Sequence, residues 1–557
     1  TGNKSCYVLE EGCYRIYAGT SSRDLEQVTV DGAEGLQVET AVVTKRLEEA
    51  CAPEKDFIRL KPGACRAGGV YEKSGEAVPQ RTVSLADRIH ENMPPALAVT
   101  GNRNIRLKDV REGKETMEAF LAQLTPEELA VMVRGEGMCS PRVTPGVASC
   151  FGGVGKSLHD TYGIPVAAAA DGPSGIRMDV GAQATQVPIG TLLACTFDTP
   201  LVEALYEMEG KELLRNEIDT LLGPGINIHR NPLNGRNFEY FSEDPLLTGK
   251  MAAANIRGIR KGGSHATMKH YACNSQEKVR SKVDAVVSER ALREIYLKAF
   301  EIAVKEGRGS CVMTAYNPVN GHWSASNYDL NTTILRKEWG FTGIVMTDWW
   351  STMNDCAEGG EESRENTAAM VRSQNDLYMV VDNLAAEENP MGDNTLEALQ
   401  TGKLTLGELQ RSAANICRFL MHAPAMERSL LPEEEPELIP ADKTEGTKRC
   451  ADRGAVLETA CRLSTPMDTP VRFCVKTPGI YRIRICMKTN NPDFRAQSAC
   501  NASLNGVRFL TPQLNGTNGV SVEREMGEVR LEKGSYELCL TPTKMPGIEV
   551  EWLEFHK

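Results

Sequence analysis

Between residues 108 and 423, short apolar runs alternate with amphipathic stretches of helical period, and this alternation restricts the fold more than any other property of the chain. The runs at 164–170, 219–222, 265–269, 310–314 and 343–347 are too short and too evenly apolar to complete a helical stripe, so they read as core strands. Helical spacing occupies 199–216, 245–260, 288–306, 327–338 and 405–422. Thr125-Pro-Glu-Glu128 forms a capping box with proline at the first helical position, and Asp244-Pro245 opens another helix. Strand and helix in turn build a parallel sheet, and the length suits a TIM-like (β/α) barrel, although eight clean repeats cannot be counted.

In such a barrel the strands' C-terminal ends carry the chemistry. Each predicted strand ends in polar residues: Asp171-Gly-Pro-Ser-Gly, His229-Arg230, Lys269-His270, Tyr316-Asn317 and Asp348-Trp349. Taken singly, each is more often a helix cap or a structural ion pair. Together they suit a ligand covered in hydroxyls. Carboxylate, Arg and Lys make charge-assisted hydrogen bonds to hydroxyls, and an aromatic ring stacks on the apolar face of a pyranose.

The flanks differ in period. In the first segment, 1–45, residues 5–32 alternate in the strand manner around Tyr14, Ile16 and Ala18 but bury too little to stand alone, so they need neighbours. Residues 46–107 carry turn signals such as Pro94-Pro95 and read as an extended connection, and 424–447 reads as a proline- and glutamate-rich linker. From 448 to 557 a period of two returns, as in Tyr481, Ile483, Ile485 and Tyr536, Leu538, Leu540, and predicts an antiparallel, jelly-roll-like β-sandwich.

A net charge of −12 argues against nucleic acid or an anionic membrane as partner. The 17 cysteines lie singly with no Cys-x-x-Cys pair, which predicts neither a disulfide framework nor a zinc site and suggests a cytoplasmic setting. No apolar run of about 18 residues and no leader pattern is present. Three glycosylation acceptor patterns, beginning at Asn331, Asn501 and Asn515, read as chance matches. Cys150-Phe-Gly-Gly-Val-Gly-Lys-Ser157 approaches a phosphate-binding loop, but the required first glycine falls on Cys150 and no clear strand precedes it.

Asp171-Gly-Pro-Ser-Gly-Ile-Arg, the stretch Gly223-Pro-Gly-Ile-Asn-Ile-His-Arg through Phe238-Glu-Tyr-Phe-Ser-Glu-Asp-Pro245, Met268-Lys-His-Tyr-Ala, Met313-Thr-Ala-Tyr-Asn-Pro and Met346-Thr-Asp-Trp349 together resemble the barrel of glycoside hydrolase family 3, in its β-glucosidase branch. The resemblance implies that Asp348 is the nucleophile of a retaining exo-β-glycosidase and that Trp349 walls the aglycone side. It further implies that Asp171, Arg230, Lys269, His270 and Arg280 hold sugar hydroxyls, with Tyr316 and Met313 lining the pocket. Lys269, Arg230 and Arg280 are expected to lower the Asp348 pKa. Arg236, Glu239 and Glu243 are expected to form buried ion pairs that shape their loop.

The family's usual order is barrel, α/β sandwich, fibronectin-like domain. Here residues 7–32 resemble the closing strands of the fibronectin-like domain, placed before the barrel. The expectation is therefore a permuted order, with the α/β sandwich and its acid/base carboxylate supplied by a preceding segment or companion chain. The final domain resembles a carbohydrate-binding module. No metal or organic cofactor is expected, the substrate is an oligosaccharide or β-glycoside, and a homo-oligomer is compatible with the sequence. Two other readings stay open: a Schiff-base lyase acting through Lys269, and a sugar-binding protein without turnover. The identity of the sugar, and hydrolysis against phosphorolysis, are also open.

Overall fold

The computed structural model describes residues 5–557 apart from 22, 68, 139, 141, 181–182, 383–384, 432–434, 443–454 and 494–495. Much of the acidic run at 433–435 and the first residues of the expected final domain thus lie outside the described residues. At the centre eight strands form a barrel: β1 (Arg134–Glu136), β2 (Ser149–Gly152), β3 (Val166–Asp171), β4 (Thr220–Leu222), β5 (His265–Tyr271), β6 (Cys311–Thr314), β7 (Ile344–Met346) and β8 (Tyr378–Asp382). They follow one another round the sheet, β1 pairs with β8, and a bridge between Met346 and Leu377 closes the ring. Strands β3 to β7 run parallel, as does β8 with β1.

The apolar runs predict β3 to β7, whereas β1, β2 and β8 escape them. β2 also corrects the all-parallel expectation, because it is antiparallel to both neighbours. The stretch that approached a phosphate loop starts inside this strand. Cys150 is fully buried, and a side chain at Gly153 would collide with the Ile164 carbonyl, so glycine serves close packing there.

Alternation along the strands sorts side chains into two cores. Ala167, Ala169, Leu222, Met313, Met346 and Met379 join one apolar cluster, while Ala168, Ala170, Leu221, Val312 and Val345 join the other, which includes residues of the helices α1 (Thr199–Arg215) and α2 (Pro245–Lys261). Both helices start on predicted signals. Asp198 caps α1, and Asp244 caps α2 by accepting from the backbone N–H groups of Leu246 and Leu247. The Thr125–Glu128 capping box forms as expected, and Thr405 and Glu408 form another ahead of α3 (Leu406–Leu420).

The segment before the barrel departs from the sequence reading. Residues 46–107 are not simply extended: they hold a hairpin of Ile58–Arg66 with Val70–Ala77 and a helix at Leu85–Glu91. Residues 48–52 are pinned to the barrel, where Asp329 accepts from the Cys51 N–H at 2.8 Å and Asn320 donates to the Cys51 carbonyl at 2.7 Å. Upstream, Cys6–Leu9 pairs with Val42–Arg46, Gly12–Tyr14 with Leu36–Val38, and Ile16–Ser21 with Asp24–Val28. Alternation there buries neither face: Ile16 and Tyr17 are 49% and 48% exposed.

The expected linker is partly helix, Pro424–Leu430, which is anchored by buried Asp219 through the Ala425 N–H at 2.6 Å and Arg428 at 2.7 Å. Beyond it, one five-stranded and one six-stranded sheet share a core that includes Tyr481, Ile483, Tyr536, Leu538 and Phe555. Pairing is mostly antiparallel, except that Leu438–Ile439 and Ala455–Leu457 join their sheets parallel. Asn331 and Asn515 are buried, which agrees with chance acceptor patterns. Cys474 is disulfide-bonded, contrary to the expectation from spacing. Among the described residues no helix is long and apolar enough to cross a membrane.

Candidate active site

The end of β7 is tied to β8 before it releases its acid. Thr347 donates its N–H to the Leu377 carbonyl at 2.9 Å, and its hydroxyl accepts from the Met379 N–H at 2.8 Å. Asp348 follows at the barrel mouth, 8% exposed. Its Oδ1 accepts from the Trp349 N–H at 2.8 Å, which fixes the carboxylate plane. Its Oδ2 accepts no hydrogen bond of good geometry and lies 3.6 Å from Nε2 of His270.

Two residues of β5 enter the same space. Lys269 donates to Oδ1 of Asp171, at the end of β3, at 3.0 Å and lies 3.7 Å from Glu239. The His270 backbone is clamped by Asn227, which accepts from its N–H at 2.8 Å and donates to its carbonyl at 2.9 Å. The His270 ring is buried, and its pKa lies well below the ordinary value through burial first and then the charges of Arg236, Lys269 and Arg280. The ring is therefore neutral, and its tautomer follows from its partners. Arg236 can only donate, so Nε2 accepts from it at 2.9 Å, and Nδ1 carries the proton toward the Tyr240 oxygen at 3.2 Å. The 3.6 Å approach of Nε2 to Asp348 is thus between two acceptors. The Nε2 lone pair is taken by Arg236, so a sugar hydroxyl beside the pair donates to Asp348 Oδ2.

The pKa of Asp348 is raised. Burial pushes it up, and Arg236, the Trp349 N–H, Lys269 and Arg280 pull it back only in part. The expectation of a lowered pKa is therefore corrected, because desolvation of this buried carboxylate outweighs the cations. Asp171 behaves differently. Burial raises its pKa, but Lys269 overcomes that, and the group is held below its ordinary value. For Lys269, burial works against the charge while Asp171 and Glu239 secure it, with a net rise. An ammonium so held is no amine nucleophile, which counts against the Schiff-base reading. Arg280 donates to Glu277 at 2.9 Å and lies over the Tyr316 ring at 4.6 Å from its centroid. Burial, followed by the Asp348 charge, drives the Tyr316 phenol well above its ordinary range.

A neutral histidine, a caged lysine and two arginines around one carboxylate oxygen form a site for a neutral polyhydroxylated ligand. The sequence profile of the Glycosyl hydrolase family 3 N terminal domain matches residues 151–419. The match takes in β3 to β8 of the barrel, which is thus similar to glycoside hydrolase family 3. A β-glucosidase of Ruminococcus albus is 42% identical over 564 residues, which take in 100% of this chain and 57% of the relative. A solved structure of a β-glucosidase from Paenibacillus barengoltzii superposes with a TM-score of 0.79 at 58% identity, covering 100% of this chain and 59% of that one. β-Glucosidase 3B of Thermotoga neapolitana, solved with α-D-glucose, matches at 36% identity and a TM-score of 0.50, covering 57% of this chain and 44% of its own. The chain thus spans less than two thirds of the length of these relatives.

Within this barrel, Asp348, Asp171, Lys269, His270, Arg280 and Tyr316 come together. Trp349 packs half-buried beside them, and Met313, 2% exposed, belongs to the apolar cluster that also holds Met346, its partner in the β6–β7 register. Arg230 does not join them. It is exposed and acts electrostatically on Cys273 and Tyr296 instead. Its expected place is taken by Arg236, whose Nε pairs with Glu239 at 2.5 Å and whose Nη2 reaches His270. The ion-pair expectation for Arg236 and Glu239 therefore holds but is incomplete, since Arg236 is also the strongest charge that lowers the Asp348 pKa. Glu243 is exposed rather than buried. Arg177, 3.7 Å from Asp171, was not predicted, although it closes the Asp171-Gly-Pro-Ser-Gly-Ile-Arg motif.

Proposed function

We propose that this chain carries the nucleophilic half of a retaining β-glucosidase that releases glucose from the non-reducing end of a β-glycoside. The observation that carries the reading is Asp348. One of its oxygens is fixed by the Trp349 N–H, the other is buried 3.6 Å from neutral His270, and the charges of Arg236, Lys269 and Arg280 and the Tyr316 hydroxyl act on the carboxylate. Oδ2 attacks the anomeric carbon, the bond to the aglycone oxygen breaks, and a covalent glycosyl-enzyme forms. Water then displaces Asp348. Asp171, Lys269, His270 and Arg236 hold the ring hydroxyls, and Trp349 walls the departing group.

The aglycone oxygen must receive a proton from a second carboxyl, about 5–5.5 Å from the nucleophile in a retaining enzyme. Among the described residues, Asp171 is committed to Lys269, Glu239 to Arg236 and Glu277 to Arg280, and Asp382 at the end of β8 accepts from the Asn515 amide. Burial does favour the acid form of Glu136, but that residue accepts from the Ala386 N–H at 3.1 Å and sits on β1, beyond β8. Two strand spacings put it about 10 Å away. We therefore assign the acid/base to a segment or companion chain beyond the residues described. The strand pairs before the barrel are read as part of a fibronectin-like domain, and the two-sheet unit after it as a jelly-roll-like, carbohydrate-binding-module-like domain.

Incubation with 2,4-dinitrophenyl 2-deoxy-2-fluoro-β-glucoside tests the reading. The leaving group departs without acid assistance, so the peptide holding Asp348 gains one fluoroglucosyl mass even if the acid is absent. An unmodified Asp348 peptide, with the mass absent or on another residue, removes the nucleophile assignment.

A further inference from the structure

The two-sheet unit touches the barrel at its mouth. Asn515 donates its amide to Oδ1 of Asp382 at 3.2 Å, and Asp382 ends β8, next to the strand that delivers Asp348 and Trp349. The contact is made by the short strand Gln513–Asn515, which pairs with Gln497–Ala499. Leu514 points into the core shared by the two sheets, so Gln513 and Asn515 lie on the opposite face. An outward face would ordinarily be wet. Both residues are nevertheless buried, at 4% and 9% exposed, and Oε1 of Gln513 has no hydrogen-bond partner among the described residues. A buried amide oxygen without a donor costs stability unless something supplies that donor.

From this geometry we infer that the Gln513–Asn515 strand, together with Asp382, forms a subsite for the sugar on the leaving-group side of Asp348. The inference rests on the β-glucosidase reading and deepens it: the substrate class is an oligosaccharide whose second sugar is held jointly by the barrel and the two-sheet unit. Three features support the side chosen. Trp350 donates its N–H to the Met379 carbonyl at 2.8 Å, so the tryptophan pair after Asp348 is seated against β8. Asp382 lies further along that same strand toward the mouth. The side chains offered there are a carboxylate and two carboxamides, which pair with hydroxyls as both donors and acceptors. Cations and an exposed apolar platform are not what this strand presents, so an anionic or purely aromatic aglycone gains less from it than a sugar does.

Calorimetric titration of the whole protein with cellotriose and with glucose separates this subsite from the glucose pocket. The quantity read is the ratio of the two dissociation constants, in the parent and in Gln513→Leu, Asn515→Ala and the near-isosteric Asp382→Asn. Thermal unfolding of each variant confirms that the fold is retained. One lost neutral hydrogen bond weakens binding about two- to tenfold, so the preference for cellotriose falls by that factor in at least Gln513→Leu and Asn515→Ala. An unchanged ratio, including one in which both affinities weaken together, overturns the subsite. Failure of Asp348 to label would instead count against the nucleophile, and it leaves the calorimetric ratio readable.

Discussion

At the residue scale, Arg236 is the most informative side chain that the sequence left among structural ion pairs. Asp348 must be ionised to attack, so kcat/KM on an aryl β-glucoside falls as pH drops through its pKa. Burial raises that pKa and Arg236 is the largest influence opposing the rise, so Arg236→Gln moves the acid limb of the profile to higher pH. It also lowers kcat/KM, by about 10²-fold for loss of a charge aimed at the reacting centre. An acid limb that stays in place, with only KM raised, would reduce Arg236 to a binding contact. The site was readable where a residue ends an apolar run, as Asp171, Lys269, His270 and Asp348 do, because strand geometry then dictates where the side chain goes. It was not readable in the long loop after β4. There the spacing of Arg230 and Arg236 gives no direction, and only the fold shows that the second, and not the first, reaches His270.

At the scale of elements, α1 contains a group that no sequence period distinguishes. Glu209 falls three residues after Tyr206 and reads as part of a polar helix face, yet it is 3% exposed and neither carboxyl oxygen is hydrogen-bonded among the described residues. Burial, with a contribution from Glu212, raises its pKa from 4.5 to about 8. Over that interval the folded state keeps a proton that the unfolded chain has released, so this group's contribution to stability falls as pH rises from about 4.5 toward 8. Glu209→Gln cannot titrate. Its Tm should therefore gain on the parent across the same interval, by about 2 °C or more at pH 8, and parallel Tm curves would show that Glu209 is solvated after all. The helices themselves were legible from their caps, since Asp198, Asp244 and Thr125 each satisfy orphan backbone donors that any helix start must satisfy. β1 was invisible because Arg-Gly-Glu carries no apolar pattern. It is held by register with β8 and β2 rather than by its own composition.

At the scale of the molecule, the strand pairs ahead of the barrel leave large apolar side chains in water. Ile58, Leu60 and Tyr71 are 71%, 75% and 59% exposed, on a hairpin that packs one strand against one other. Exposed apolar side chains of this size promote association. Replacing Ile58, Leu60 and Tyr71 together by Lys should cut the binding of a hydrophobic dye and the light scattering of the isolated chain severalfold, with Tm unchanged. A lowered Tm with unchanged dye binding would show that these side chains are packed. The period of two announced the strands within residues 5–32 but not this hairpin, which lies in the stretch read as an extended connection. The barrel's reversal at β2 has a practical consequence of another kind. Because β1 runs toward the mouth and β2 runs back, the connection from Glu136 to Ser149 is moored in adjacent strands at both ends, with no crossover helix among its described residues. A protein engineer seeking new acceptor preferences could exchange that loop as a self-contained cassette, while the glycines at 152–155 belong to the closed end and are best left untouched.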